Sequence, residues 1–246
     1  MTTAYFDCFS GIAGDMVLGA LIDLGLDVNY LKKELKKLDI SGYKIDVKKI
    51  KKNNITASDV YIIVNEEKQH HRSFNDIKKL IDGSQLDNDV KDMSVKIFHN
   101  LAIAESKVHN VDVEDVHFHE VGAIDSIIDI VGAAIGLKKL GIEQVFCSNL
   151  PVGKGFVNCS HGVIPIPAPA TVELLRDAPV YQSDADHEMV TPTGAAFITT
   201  VADGFGDMPL MKINKVGYGA GKIESKQPGV LRIYIGKLEK NRNYNL

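Results

Sequence analysis

The sequence predicts an α/β protein of mixed α+β character, a sheet with packed helices and glycine-rich loops at strand–helix junctions. Three observations carry this. A short apolar strand near the start runs through a glycine loop into a helix. Two β-branched, alternating segments flank Asn53-Asn54. Two long stretches, Asp87 to His109 and Ala123 to Gly141, keep apolar residues at helical spacing.

Thr3 to Phe9 reads as a buried strand, and Ser10-Gly11-Ile12-Ala13-Gly14-Asp15 turns it into a helix from about Met16 to Leu24. Val28 to Leu38 forms a lysine-rich helix, stopped near Gly42. Tyr43 to Ile50 and Ala57 to Val64 form a hairpin about Asn53-Asn54. Gln69-His70-His71-Arg72 is a polar loop, and Ser73 caps a helix to Ile81. In the helix from Asp87 to His109, Val90, Ile97, Leu101, Ala104 and Val108 share one face. Gln144 to Leu150 is a buried strand, followed by a loop carrying Lys154. His161 to Ala170 is extended and proline-punctuated, leading into a helix from about Ala168 to Arg176. Thr191-Pro192-Thr193-Gly194 opens a helix to about Val201. Met211 to Tyr218 and Val230 to Lys237 are strands around a Gly217-to-Lys222 loop, and the tail to Leu246 is polar and frayed.

With 246 residues the chain can bury a good core, as one domain or as two subdomains, about 1–68 and 69–246. A hydrophobic content of 45% with 24% charged residues is ordinary for a soluble protein, and a net charge of -4 argues against nucleic acid as a partner. Nine lysines lie between Leu31 and Lys52, whereas Glu105 to Asp129 is mostly acidic. Cys8, Cys147 and Cys159 are too scattered for a disulfide framework and are expected to be reduced. No apolar run reaches membrane-spanning length and no leader is recognisable, so a cytoplasmic protein without a membrane partner is expected. Oligomeric state is not legible, and a homo-oligomer stays open.

The richest ligand chemistry lies in His117-Phe118-His119-Glu120-Val121-Gly122-Ala123-Ile124-Asp125-Ser126-Ile127-Ile128-Asp129. On an extended segment His117 and His119 project from one side, and Asp125 and Asp129 share a helix face. Such nitrogen and oxygen donors suit nickel, zinc or iron, and the carboxylates alone suit magnesium or manganese. Like charges at i and i+4 disfavour a helix unless something positive sits between them. The bland alternative is a first-turn aspartate, a solvated aspartate and strand-end histidines. Three places could cradle an anion: Ser10 to Asp15, where Gly11 and Gly14 admit backbone amides and Asp7 and Asp15 could hold a cation; the loop with Lys154; and Thr191, Thr193 and Gly194. The alternative for each is a helix cap or a turn. His161 sits on a rigid loop suited to a binding wall.

Asp7 to Met16, His117 to Ser126, His161 to Ala170 and Val190 to Ala196 together resemble the LarC family of nickel insertion proteins, in order and over nearly the whole chain. The resemblance implies a nickel chelatase, a lyase-class metal-insertion activity that builds the nickel-pincer nucleotide of lactate racemase. Its substrate would be pyridinium-3,5-bisthiocarboxylic acid mononucleotide, and it would use CTP with magnesium or manganese. Full-length members carry a C-terminal CTP-binding domain, so this chain is expected to be an N-terminal part that works with a separate C-terminal half and delivers to apo-lactate racemase. His117, His119, Glu120 and Asp125 would then hold or relay nickel, with Asp129 supporting them or binding a second cation; His119, Glu120 and Asp125 are the candidate catalytic residues. Ser10 to Asp15 and Thr191 to Gly194 would bind the substrate phosphate. Two alternatives stand beside this: a non-catalytic nickel or nucleotide carrier, and a magnesium-dependent phosphate-ester enzyme using Asp7, Asp15, Asp125 and Asp129.

Overall fold

A computed structural model describes residues 1–65, 72–118, 122–159, 162–224 and 227–239. The elements in chain order are β1 (Thr3–Asp7), α1 (Gly14–Asp23), α2 (Val28–Leu35), β2 (Tyr43–Lys52), β3 (Ile55–Val64), β4 (Arg72–Ser73), α3 (Phe74–Asp82), α4 (Asn88–His109), β5 (His117–Phe118) and α5 (Ile124–Lys139). There follow β6 (Gln144–Cys147), β7 (Leu150–Val152), β8 (Phe156–Cys159), β9 (Gly162–Pro165), α6 (Pro169–Leu174), β10 (Val180–Gln182), α7 (Pro192–Val201), β11 (Gly204–Phe205), β12 (Met211–Ala220) and β13 (Val230–Leu238).

Seven strands make one mixed sheet in the order β11-β6-β1-β13-β12-β3-β2. β1 is parallel to β6 and antiparallel to β13, β12 runs antiparallel to β13 and parallel to β3, and β2–β3 is the predicted hairpin. Asn53 and Asn54 both take positive φ, 45° and 65°, the backbone a two-residue hairpin turn requires.

Helix α1 lies on β3, β12 and β13. It approaches so closely that a Cβ on Gly219 would stand 1.8 Å from the Met16 carbonyl oxygen, and one on Gly19 would stand 2.5 Å from that of Ser58. Small residues on both surfaces are the reason helix and sheet can touch backbone to backbone. Helix α5 stacks on α1, with Gly132 against Leu18 and Gly136 against Leu21. It is apolar nearly all round, as a helix enclosed by neighbours must be. Helix α4 packs against α3, α5, α6 and α7. The main core cluster draws residues from Ala4 to Ile235, with Phe6 against Phe197 (ring centroids 5.9 Å apart) and Phe98 against Phe118 (6.3 Å), and a small second cluster joins Ala57, Ala220 and Val230.

Two expectations need correction. The strand expected from Gln144 to Leu150 is two strands, because Ser148 ends β6: its amide donates to Phe6 O and its Oγ accepts from the Cys8 amide. The chain then leaves the main sheet, and β7 pairs with β10. The loop expected from Gly217 starts later, since Gly217 to Ala220 belong to β12; those glycines serve the α1 contact rather than a turn.

The cap expected on α3 is present, and α4 carries one as well. Ser73 and Asp76 form a reciprocal capping box on α3, and Asp87 caps α4 through the Asp89 amide. Cys8 and Cys147 are free thiols, fully buried, with Sγ atoms 3.6 Å apart. No helix among the described residues is long and apolar enough to cross a membrane.

Candidate functional site

The loop after β1 and the loop before α7 are stitched together. Ile12 N donates to Met189 O (2.9 Å), Thr191 N donates to Ile12 O (3.1 Å), and Ile12 and Val190 form a parallel bridge. Gly11, at φ 88°, would place a Cβ 1.8 Å from Met189 O, and Gly194 would place one 2.3 Å from Ile12 O. Both glycines are there because two backbones meet.

This junction brings three helix N-termini to one cavity of about 340 Å³. α1 contributes Ala13, Gly14, Asp15 and Met16, α5 contributes Asp125, Ser126 and Asp129, and Thr191 and Thr193 come from the start of α7. Neither α1 nor α5 has a side-chain cap at its N-cap residue, Ala13 and Ala123. In each, the aspartate of the first turn accepts from the next amide instead: Asp15 from Met16 and Asp125 from Ser126, both at 2.8 Å. The cap of α7 is Thr191, whose Oγ1 accepts from the Gly194 amide (3.2 Å) and lies 3.0 Å from Thr193 Oγ1. Three positive dipole ends facing one space favour an anion there.

The cavity also holds negative charge. Asp129 Oδ1 is closed off from solvent and has no hydrogen-bond partner among the described residues. Burial, with Asp15 and Asp125 nearby, pushes the Asp129 carboxyl well above the usual carboxylate range, against the pull of Lys222. Burial also raises Asp15, opposed by the Lys222 ammonium 3.6 Å from its Oδ2 and by the Met16 amide. A buried acceptor without a donor is costly and calls for a proton, a cation or a ligand group.

The predicted residues are distributed as follows. Ser10, Asp15, Asp125, Asp129, Thr191, Thr193 and Gly14 line the cavity together, although they come from three distant stretches. Ser10 donates its hydroxyl to Pro228 O at 2.7 Å. Gly11 and Gly194 shape the wall from behind. Asp7 is held by the Arg232 guanidinium, with Nε 3.0 Å away, and Lys154 pairs with Asp184 at 3.0 Å; neither is on the cavity wall. His117 is exposed on β5, which pairs with β4. His119, Glu120 and His161 lie outside the described residues, as do His70 and His71. Among the described residues no group of three or more His, Cys, Asp or Glu side chains is arranged to hold a metal ion.

Sequence reasoning missed His187, Glu188, Lys222 and Gln227, which complete the wall. Glu188 lies two residues before the Val190-to-Ala196 stretch, a usable signal. Lys222 had none, because its partners Asp59 and Asp15 are far away in sequence.

The arrangement is that of an α/β scaffold with a mixed anion-and-cation pocket at converging helix ends, and comparison with known proteins gives it a family. The family model described as nickel insertion protein matches residues 4–246, and the chain belongs to that family. A relative from Dictyoglomus thermophilum is 50% identical over 238 residues, covering 97% of this chain and 61% of the relative. Proteins named pyridinium-3,5-bisthiocarboxylic acid mononucleotide nickel insertion protein are similar too. That of Desulfitobacterium hafniense is 48% identical over 238 residues, 97% of this chain and 59% of its own, and that of Acetivibrio thermocellus is 49% identical over 246 residues, 96% and 60%. The chain therefore spans about three fifths of the length of these relatives. No solved structure matches it.

Proposed function

We propose that this chain binds nickel and pyridinium-3,5-bisthiocarboxylic acid mononucleotide at the cavity between α1, α5 and α7, and takes part in inserting the metal to form the nickel-pincer nucleotide. The observation that carries this reading is the meeting of three helix N-termini with one buried, unpartnered carboxylate, Asp129. The names of the relatives supply the substrate.

In this reading the mononucleotide phosphate sits at the helix ends, contacted by Ser10, Thr191, Thr193 and the first-turn amides of α1. Asp125 and Asp129, with His117, His119 and Glu120 from the segment before α5, hold or relay nickel, and Asp15 lies beside them. Nitrogen and oxygen donors hold nickel loosely enough to give it up to the sulfur-rich substrate. Asp7 and Lys154 belong to the proposed substrate contacts only at the periphery, since both are engaged elsewhere, and His161 keeps its proposed role as a substrate contact.

The reaction uses CTP with magnesium or manganese, bound chiefly by a C-terminal half, and serves apo-lactate racemase in the cytoplasm. The test is nickel insertion into the purified precursor with CTP and magnesium or manganese, with and without that half, read by activation of apo-lactate racemase. Insertion by the mixture that disappears on Asp129→Asn supports the reading. Insertion unaffected by that substitution refutes the assigned site.

A carrier that binds nickel and nucleotide but leaves the chemistry to its partner is the second reading. Binding of both ligands by this chain, with all turnover residing in the other half, distinguishes it.

A further inference from the structure

Lys222 follows β12 and stands on the cavity wall, but its ammonium is anchored from behind. Nζ donates to Val60 O at 2.6 Å, is paired with the Asp59 carboxylate, and lies 3.9 Å from the centroid of the Tyr61 ring. All three anchors are on β3, and Asp59 is only 3% exposed. On its other side Nζ is 3.6 Å from Asp15 Oδ2, and its charge reaches Asp129 as well.

Such a lysine is held in place when another cation arrives. The hydrogen bond to Val60 O, the ion pair with buried Asp59 and the cation–π contact each hold it, although its side chain is 43% exposed, and withdrawing it would leave Asp59 buried without its counter-ion. A metal ion bound by Asp15 and Asp129 must therefore share them with a fixed ammonium. Without that ammonium the two carboxylates would hold a divalent cation more tightly, which works against a protein that has to hand its metal on.

We propose that Lys222 is a tethered counter-cation that competes with nickel for Asp15 and Asp129, setting the metal's affinity low enough for transfer to the substrate. The inference rests on the reading of the cavity as the nickel site, and it assigns Lys222 a positioning role through charge rather than contact with the reacting atoms.

The test is calorimetric nickel titration of the full chain, with release measured against a chromogenic chelator. Lys222→Met removes the charge but strands Asp59, so the double variant Asp59→Asn/Lys222→Met is measured beside it and decides the matter if the single variant fails to fold. Nickel should bind Lys222→Met roughly tenfold or more tightly and leave it correspondingly more slowly, the scale expected when a unit charge a few ångströms from a divalent ion is removed from a half-exposed site, and should bind the double variant more tightly by a smaller factor, because Asp59→Asn also removes a negative charge behind the ammonium. Lys222→Arg should keep the wild-type affinity. Unchanged or weaker nickel binding by the double variant, with binding lost in Asp129→Asn, would overturn the role of Lys222 and leave the site standing. Unchanged binding in Asp129→Asn would overturn the site and the inference with it.

Discussion

The Asp129 carboxylate lies against the backbone of Gly14: a Cβ on residue 14 would stand 2.8 Å from both Asp129 Cβ and Oδ2. The first turn of α1 and the acidic face of α5 are thus in contact at the cavity, and only glycine lets them be.

Gly14→Ala tests this contact. Alanine gains at most about 1 kcal/mol in helix propensity, less in a first turn, while the clash costs about 1–3 kcal/mol or is relieved by moving Asp129. The clash wins. Stability in urea should fall by about 1 kcal/mol or more, and nickel affinity should fall with it. An unchanged midpoint and unchanged affinity would mean that Asp129 has room to move.

Asp129→Asn should separate stability from function. Burial and two neighbouring carboxylates raise the folded-state pKa of Asp129, so between its unfolded value of about 3.9 and the raised value the folded protein binds the extra proton. Its ionisation therefore destabilises the fold as pH rises through that window. Asparagine removes this penalty: the variant should be more stable than the parent at neutral pH, by a margin that shrinks as pH falls and vanishes below about pH 4. Urea unfolding of both proteins from pH 4 to 8 checks it, and a margin independent of pH would contradict the assignment. Nickel binding should be lost at every pH, the exchange of stability for function common at active sites.

Gly219→Ala probes the scaffold behind the site. The added Cβ would stand 1.8 Å from Met16 O, and backbone cannot yield as a side-chain tip can. A loss of about 3 kcal/mol is expected. Because α1 also forms a cavity wall, mononucleotide affinity should fall in the fraction that remains folded, measured by calorimetry below the melting temperature.

The local features were legible in the sequence because their causes are local. Asn53-Asn54 forms its turn through two positive-φ residues, Ser73 and Asp87 cap their helices through amides two or three residues on, and α5 begins where the spacing of Ile124, Ile127 and Ile128 places it. Gly217 and Gly219 were misread because a glycine that admits a helix backbone looks the same, in one sequence, as a glycine that makes a turn. The pairing of β1 with β13 joins residues more than 200 positions apart, and no local pattern encodes it. The candidate site was legible in parts: the motifs at residues 10–15, 125–129 and 191–194 were separately visible, but their convergence depends on the bridge between Ile12 and Val190. Lys222 was hidden for the same reason, since Asp59 and Asp15 give it meaning only in the folded chain.

The most direct test of the cavity as the substrate site is a crystal structure of this chain with nickel and the pyridinium mononucleotide, with anomalous data collected at the nickel edge. The account predicts the phosphate at the N-termini of α1 and α7, near Ser10, Thr191 and Thr193, and a nickel peak beside Asp129. A well-ordered mononucleotide and nickel peak elsewhere, with this cavity holding only water, would contradict it.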